Sequence, residues 1–199
     1  KRIDFIITGF NEKKEGNIII VELKRWEEAY KIENKDGIVK TRLGKGGGLH
    51  ETNHPSYQVW SYYHLITEYN QTVRDEGIKI NSCAYLHNFK KENGSELNDQ
   101  RYTTYLERAP IYFKEDKEIL RKFIEAHIKI GDKKVLLFKL DDGKIKPSKT
   151  LQDVLIKMLN RSNEFVLIDN QKLIYETAMD LAKKSKKDCK KRVMVVEGG

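Results

Sequence analysis

The chain has 199 residues, of which 39% are hydrophobic and 34% are charged, a composition that excludes an intrinsically disordered protein and suits one domain or little more. The 38 Lys and Arg residues exceed the 30 Asp and Glu residues by +8, which favours a polyanionic partner such as nucleic acid. Only two cysteines occur and no apolar run reaches the roughly 18 residues of a membrane span, so we expect a cytoplasmic protein without a disulfide scaffold or a membrane partner.

Apolar periodicity predicts the elements in the first half of the chain. The β-branched runs Ile3–Thr8 and Asn17–Leu23 predict an antiparallel hairpin. The polar, glycine-bearing residues 27–53 predict a mobile loop. A helix is then predicted from Pro55 to about Arg74, and a strand over Ile78–Phe89.

The second half of the chain continues with mixed helix and strand patterns. Before Pro147 the pattern predicts strands at Arg101–Leu106 and Lys134–Leu140 and a helix at Glu115–Ile130. Later elements are helices at Leu151–Leu159 and from Gln171 to about Lys184, a short apolar segment Phe165–Ile168 and a terminal strand Val193–Val196. The order predicts an α/β fold, with a domain boundary between residues 1–145 and 146–199.

Charged residues within the two hairpin strands point to a metal site. Asp4 and Glu22 each lie between two apolar residues of a predicted strand, where charges are rare unless they are paired or coordinate a metal. If the strands are neighbours, the two carboxylates face each other and can hold a hard divalent cation. Lys24 lies on the same strand face as Glu22 and is placed to orient a water nucleophile or to stabilise charge on a phosphate.

Asp4, seventeen intervening residues and Glu22-Leu23-Lys24 resemble the core motif of the PD-(D/E)xK nuclease superfamily. The resemblance implies a restriction-endonuclease-like mixed sheet flanked by helices and phosphodiester hydrolysis that depends on Mg²⁺ or Mn²⁺. It also implies that Asp4, Glu22 and the Leu23 carbonyl bind the metal and that Lys24 is catalytic. Ile3 stands where the family's nominal proline would be.

A second motif follows on the predicted helix. Gln58 and Tyr62 are four residues apart and therefore share one helix face. They resemble the Q-xxx-Y element of the RecB-like branch of these nucleases, which implies that both residues belong to the catalytic site and position nucleic acid. The alternative is a helix whose tyrosine only packs.

Four further residues are candidates for contact with nucleic acid. Arg42 and Lys45 lie in the predicted glycine-bearing loop, where a cationic segment can close on phosphates. Tyr57 is a candidate for stacking on bases. His54 is a candidate for contact near the scissile bond, with a capping or packing role as the alternative.

His50-Glu51-Thr52-Asn53-His54 is a literal H-E-x-x-H, the zinc-protease signature, so a zinc metalloprotease using His50, Glu51 and His54 is a remote alternative. That chemistry requires both histidines on one helix face. Pro55 biases His54 away from helical angles, and the preceding residues are poor helix formers.

The end of the chain resembles the opening of a superfamily-1 helicase-type ATPase. Leu167-Ile168-Asp169-Asn170-Gln171 is similar to the motif whose glutamine reads adenine, and the apolar run ending in Gly198-Gly199 is similar to the lead-in of a phosphate-binding loop. The resemblance implies that Gln171, Gly198 and Gly199 begin an incomplete nucleotide site. ATP would then be a cofactor of a longer protein only.

The sequence therefore predicts a metal-dependent nuclease domain, with its N-terminus truncated, ahead of the first helices and first strand of a P-loop ATPase. Its partner is expected to be nucleic acid, DNA rather than RNA. The resemblance extends to bacterial nuclease-helicase fusions, some of them linked to phage defence or DNA processing. The alternative is a catalytically inactive module that binds nucleic acid and feeds it to the motor.

Overall fold

The computed structural model describes residues 3–42, 44, 47–147, 156 and 166–197. In these residues, five strands form a main sheet: β1 (Phe5–Phe10), β2 (Gly16–Lys24), β6 (Lys79–Leu86), β7 (Ile111–Phe113) and β8 (Ile130–Gly131). Three more form a separate sheet: β3 (Tyr30–Lys31), β4 (Ile38–Arg42) and β5 (Leu49–Asn53). The helices are α1 (Pro55–Tyr69), α2 (Gln71–Asp75), α3 (Thr103–Arg108), α4 (Lys117–His127), α5 (Val135–Asp141) and α6 (Asn170–Asp188).

The main sheet is mixed, with strand order β7-β6-β2-β1-β8. β1 runs antiparallel to both β2 and β8, which confirms the predicted hairpin. β2, β6 and β7 are parallel to one another. The helix predicted from Pro55 is also confirmed as α1 and α2, and the strand predicted after it is β6.

β2 is the central strand and organises the core on both faces of the sheet. Ile18 and Ile20 pack beneath α1, in a cluster that includes Val59 and Tyr62. Ile19 points to the opposite face, where side chains of α4 cover it. Because strand side chains alternate, the even-numbered positions of β2 face α1, and this alternation places the next two, Glu22 and Lys24, beside the same helix.

Residues 27–53 differ from the predicted mobile loop, because they contain the antiparallel sheet β3-β4-β5. Val39 is fully buried in a core cluster with Trp26 and Phe89, while Lys40 next to it is exposed. A sheet with one solvated face needs only a few apolar residues, so its overall composition is polar.

Two predicted strands are helices in the structure. Residues 101–106 form a 3₁₀ turn followed by α3, because the Asp99 carboxylate accepts hydrogen bonds from the backbone N–H and the guanidinium of Arg101. Residues 134–140 lie largely in α5, where Asp132 accepts from the backbone N–H groups of Lys134 and Leu136 at 3.2 and 2.7 Å. In both segments an acidic side chain accepts hydrogen bonds from free backbone N–H groups where the helical turn starts. These contacts stabilise helical structure over a strand.

The last part of the chain agrees only partly with the prediction. α6 is confirmed, whereas 166–168 and 189–197 contain neither helix nor strand. Val193 and Val195 are 77% and 80% exposed, and no described strand lies beside them to form a ladder, so the predicted terminal strand is wrong for these residues. The helix predicted at 151–159 lies outside the described residues, apart from position 156. No described helix combines the length and apolarity that crossing a membrane requires.

Candidate metal-dependent active site

The two predicted metal ligands meet at one edge of the main sheet. The β1–β2 ladder ends at Phe5 opposite Val21, so Asp4 lies one residue beyond it, next to Glu22. The backbone N–H of Leu23 donates to Asp4 Oδ2 at 3.1 Å and fixes the aspartate there. Asp4 is exposed, whereas Glu22 is only 2% exposed. One carboxylate therefore faces solvent and the other closes the inner side of the site.

Lys24 completes the cluster on the α1 side of β2. Its Nζ donates to Glu22 Oε1 at 2.6 Å and to Gln58 Oε1 at 2.9 Å. The same ammonium lies 5.4 Å from the centre of the Trp26 ring. An ion pair, an amide and an aromatic ring thus hold the lysine, and they leave its ammonium beside the carboxylates.

The predicted Q-xxx-Y pair lies on the face of α1 that covers this cluster. Gln58 Nε2 donates to the Tyr62 hydroxyl at 3.3 Å, as the four-residue spacing predicts. The Tyr62 hydroxyl in turn donates to Asp169 Oδ1 at 2.5 Å. The structure therefore brings together Asp4, Glu22, Lys24, Gln58 and Tyr62, although they come from two strands and a helix.

The electrostatics of Glu22 suit a cation ligand. Burial raises the pKa of Glu22 from 4.5 to about 7, and the neighbouring Asp4 carboxylate raises it further, while Lys24 opposes both effects. Glu22 Oε2 is buried and receives no hydrogen bond within the described residues. A buried oxygen without a donor costs free energy that a cation would recover, and a hard divalent cation prefers carboxylate and carbonyl oxygens.

The oxygens of Asp4 and Glu22 and the Leu23 carbonyl are chemically suited to Mg²⁺ or Mn²⁺. They supply only two carboxylates. No group of three or more His, Cys, Asp or Glu residues that could hold a metal occurs among the described residues. Further oxygen ligands would have to come from water or substrate, which is usual for Mg²⁺.

A cleft of about 1110 Å³ opens beside Lys24. Trp26, Tyr30 and Arg42 line it, together with several glutamates. Arg42 Nε donates to Glu28 Oε1 at 2.8 Å, and its Nη1 donates to the Gly47 carbonyl at 2.7 Å. Arg42 is therefore on the approach to the site, in an exposed ion pair that water and phosphate can exchange. Lys45 lies outside the described residues.

Two other predicted nucleic-acid contacts are in the core. His54 is fully buried, stacks on Tyr102 at 4.2 Å, and its Nε2 lies 3.0 Å from the Leu97 carbonyl oxygen. Burial lowers the pKa of His54 to about 4, so the ring is neutral. Tyr57 is 3% exposed and donates to the Leu167 carbonyl at 2.7 Å. Burial favours the packing alternative for His54, and the burial of both residues does not support direct contact with nucleic acid.

The H-E-x-x-H sequence does not form a zinc site. His50 and Glu51 lie on strand β5, where adjacent side chains point to opposite faces. Glu51 is ion-paired with Lys35, and His54 is buried in the core before α1 begins. The segment is a strand followed by one irregular residue rather than one helix, so these residues lack the helix-face geometry that the zinc-protease alternative requires.

The predicted nucleotide-binding residues are largely outside the described part of the chain. Gly198 and Gly199 are not among the described residues. Gln171 Oε1 accepts from the backbone N–H of Ile168 at 3.1 Å, which is a local contact at the start of α6. An adenine-reading role for Gln171 stays a prediction.

Sequence reasoning missed Asp169 as part of this site. The sequence placed it only in the helicase-like stretch 167–171, more than a hundred residues from Tyr62. No local pattern indicates such a contact, because it depends on how the residues at the start of α6 pack against β5.

Comparison of the sequence with family models, with curated proteins and with solved structures gave no match. Arguments about function therefore depend on the geometry of the site and on the motifs themselves.

Proposed function

We propose that this chain carries a nuclease site of the PD-(D/E)xK type, in its RecB-like form, which hydrolyses phosphodiester bonds of nucleic acid with Mg²⁺ or Mn²⁺. DNA is the proposed substrate. The observation that carries the proposal is the convergence of Asp4, Glu22 and Lys24 around a buried carboxylate oxygen that has no donor. The mixed sheet with helices on both faces is in keeping with a restriction-endonuclease-like fold.

The residues have separate roles in this proposal. Asp4, Glu22 and the Leu23 carbonyl would hold a divalent cation, which as a Lewis acid would make the scissile phosphate more susceptible to attack. Lys24 Nζ, 2.6 Å from Glu22 Oε1, would orient the attacking water or stabilise charge on the phosphate oxygens. Gln58 holds Lys24 in place, and Arg42 on the adjacent cleft would contact the backbone of the substrate.

The competing function, a catalytically inactive nucleic-acid-binding module, uses the same cleft but has no need of the buried charges. Burying the charges of Glu22 and Lys24 costs desolvation free energy, and a module that only binds nucleic acid does not use these charges. That cost favours the enzyme.

We expect the parent protein to cleave single- or double-stranded DNA when Mg²⁺ or Mn²⁺ is present and not in EDTA. Asp4→Ala and Glu22→Ala should each abolish cleavage, because each removes a cation ligand. Asp75→Ala, which removes an exposed carboxylate on α2, is the matched control and should cleave like the parent. The assay is run on labelled DNA and RNA in both strand forms. Binding without cleavage of any substrate would support the inactive module instead.

A further inference from the structure

The segment containing α6 is held on the preceding fold by buried charges. Lys172 Nζ contacts Asp36 Oδ2 at 2.9 Å and Glu176 Oε1 at 3.0 Å, and the other Glu176 oxygen accepts from the Asp36 backbone N–H at 3.1 Å. Lys35 donates to Thr177 Oγ1 at 3.1 Å. Lys172 and Glu176 are 7% and 8% exposed. These contacts fix the start of α6, and hence the residue just before it, in relation to the second sheet.

That residue is Asp169, and its backbone is in an unusual conformation. Its φ of 49° and ψ of −122° lie in a region that favours glycine. Its carbonyl accepts from Asn53 Nδ2 at 2.9 Å, which anchors it to β5. The Asp169 side chain accepts a hydrogen bond from the Tyr62 hydroxyl at 2.5 Å. A carboxylate kept at a strained position suggests that the side chain is needed there.

A chain of hydrogen bonds runs from Asp169 through Tyr62 and Gln58 to Lys24. The direction of each bond follows from which groups can donate and which can accept. Burial, followed by the hydrogen bond to Asp169, raises the pKa of Tyr62, so its hydroxyl keeps its single proton. An ionised carboxylate only accepts, so that proton points to Asp169 and the Tyr62 oxygen must accept from Gln58 Nε2. The Gln58 oxygen is then turned toward Lys24, whose ammonium only donates.

We infer that Asp169 is a positioning residue for the active site: through Tyr62 it orients the Gln58 amide, so that an oxygen rather than an NH₂ group faces Lys24. The inference rests on the proposed nuclease function for its catalytic consequence. It makes the segment 166–188 part of the site, although that segment lies far from β1 and β2 in sequence.

Asp169→Asn tests the direction of the chain of hydrogen bonds with little change in shape. Asparagine has nearly the same shape as the aspartate that already adopts this backbone conformation, so the fold should persist. An asparagine can present either its oxygen or its NH₂ group to Tyr62, so position 169 no longer fixes the direction of the chain. Where the NH₂ group donates to the Tyr62 oxygen, the tyrosine proton can turn to Gln58 and the amide can flip. The NH₂ of Gln58 would then face the Lys24 ammonium and displace it. We expect kcat on DNA to fall by about 10- to 100-fold with KM nearly unchanged, since small displacements of catalytic groups have effects of this size.

Gln58→Glu provides the reciprocal change. A carboxylate at position 58 presents an acceptor to Lys24 in any orientation, but in the parent background it competes with Asp169 for the one Tyr62 proton. In the Asp169→Asn background Tyr62 donates to Glu at position 58 and accepts from Asn at position 169, so the conflict is removed. We expect the double variant to turn over faster, and to unfold at a higher urea concentration, than Gln58→Glu alone.

Asp180→Asn, the same substitution at a buried position of α6 paired with Lys184, is the control for general loosening of the helix. It should keep the parent kcat. If the parent cleaves DNA and Asp169→Asn cleaves equally fast, or if the double variant is additive in both kcat and unfolding midpoint, Asp169 has no positioning role. If the parent cleaves no nucleic acid with metal present, the proposed function fails, and the unfolding measurements still decide whether the two side chains are coupled.

Discussion

Metal-free Glu22→Gln protein is expected to gain stability relative to the parent as the pH rises from about 4.5 through 7. The pKa of Glu22 is raised from 4.5 to about 7 by burial, so between these values the folded protein keeps a proton that the unfolded chain releases. The parent therefore loses stability as the pH rises through this range, and the loss is complete above about pH 7. At about 1.36 kcal/mol per pH unit it amounts to on the order of 3 kcal/mol.

Glutamine carries no charge and avoids this loss. Its Oε1 can still accept from Lys24, and its NH₂ group would lie next to the Asp4 carboxylate, which is an acceptor. Urea unfolding from pH 4 to pH 8 in EDTA measures the difference, with Glu118→Gln, at an exposed position of α4, as the control. Adding Mg²⁺ at pH 8 should stabilise the parent and not the variant. A Glu22→Gln protein less stable than the parent at pH 8 would show that the buried, ionised Glu22 carboxylate does not destabilise the fold.

Lys24→Ala should slow the cleavage step while leaving the binding of metal and nucleic acid in place. Lys24 lies beside the carboxylates but is not itself a ligand. Loss of one group that stabilises a transition state costs about 2.7–4 kcal/mol, or about 10²–10³ in rate. Single-turnover kinetics at saturating Mg²⁺ measure the cleavage step without contributions from product release or incomplete metal binding.

Lys24→Arg should restore little activity, because a planar guanidinium cannot replace a compact ammonium held between Glu22 and Gln58 in a mostly buried position. Lys79→Ala, which removes an exposed lysine paired with Glu15, is the control and should retain the parent rate. A parental single-turnover rate in Lys24→Ala would remove Lys24 from the mechanism, and loss of metal binding would make it structural support for the ligands.

The part of the site that the sequence predicted follows from the regular spacing of side chains along strands and helices. The two-residue period of a strand placed Glu22 and Lys24 on one face, and the four-residue helical spacing placed Gln58 beside Tyr62; both relations occur in the structure. The two pairs meet because α1 covers the face of β2 that bears Glu22 and Lys24, and before the structure only the family resemblance placed them in one site.

The features that the sequence did not predict depend on local helix-start contacts of acidic side chains and on contacts between distant segments. Asp132 and Asp99 direct their neighbours into helical turns although those neighbours have apolar patterns typical of strands. His54 is polar, yet the second sheet and the core cluster enclose it. Asp169 reaches Tyr62 because contacts of Lys172 and Glu176 with Asp36 fix the start of α6. Periodicity carries no information about such packing.

The most direct measurement is a calorimetric titration of the parent, Asp4→Ala and Lys24→Ala proteins with Mn²⁺ at pH 8, where Glu22 is ionised. The proposed site predicts saturable binding to the parent, at least about tenfold weaker binding to Asp4→Ala, since removing a ligand weakens a cation site, and nearly parental binding to Lys24→Ala. Equal Mn²⁺ affinity in the parent and Asp4→Ala, or no saturable binding to the parent, would contradict the metal site on which the nuclease proposal depends.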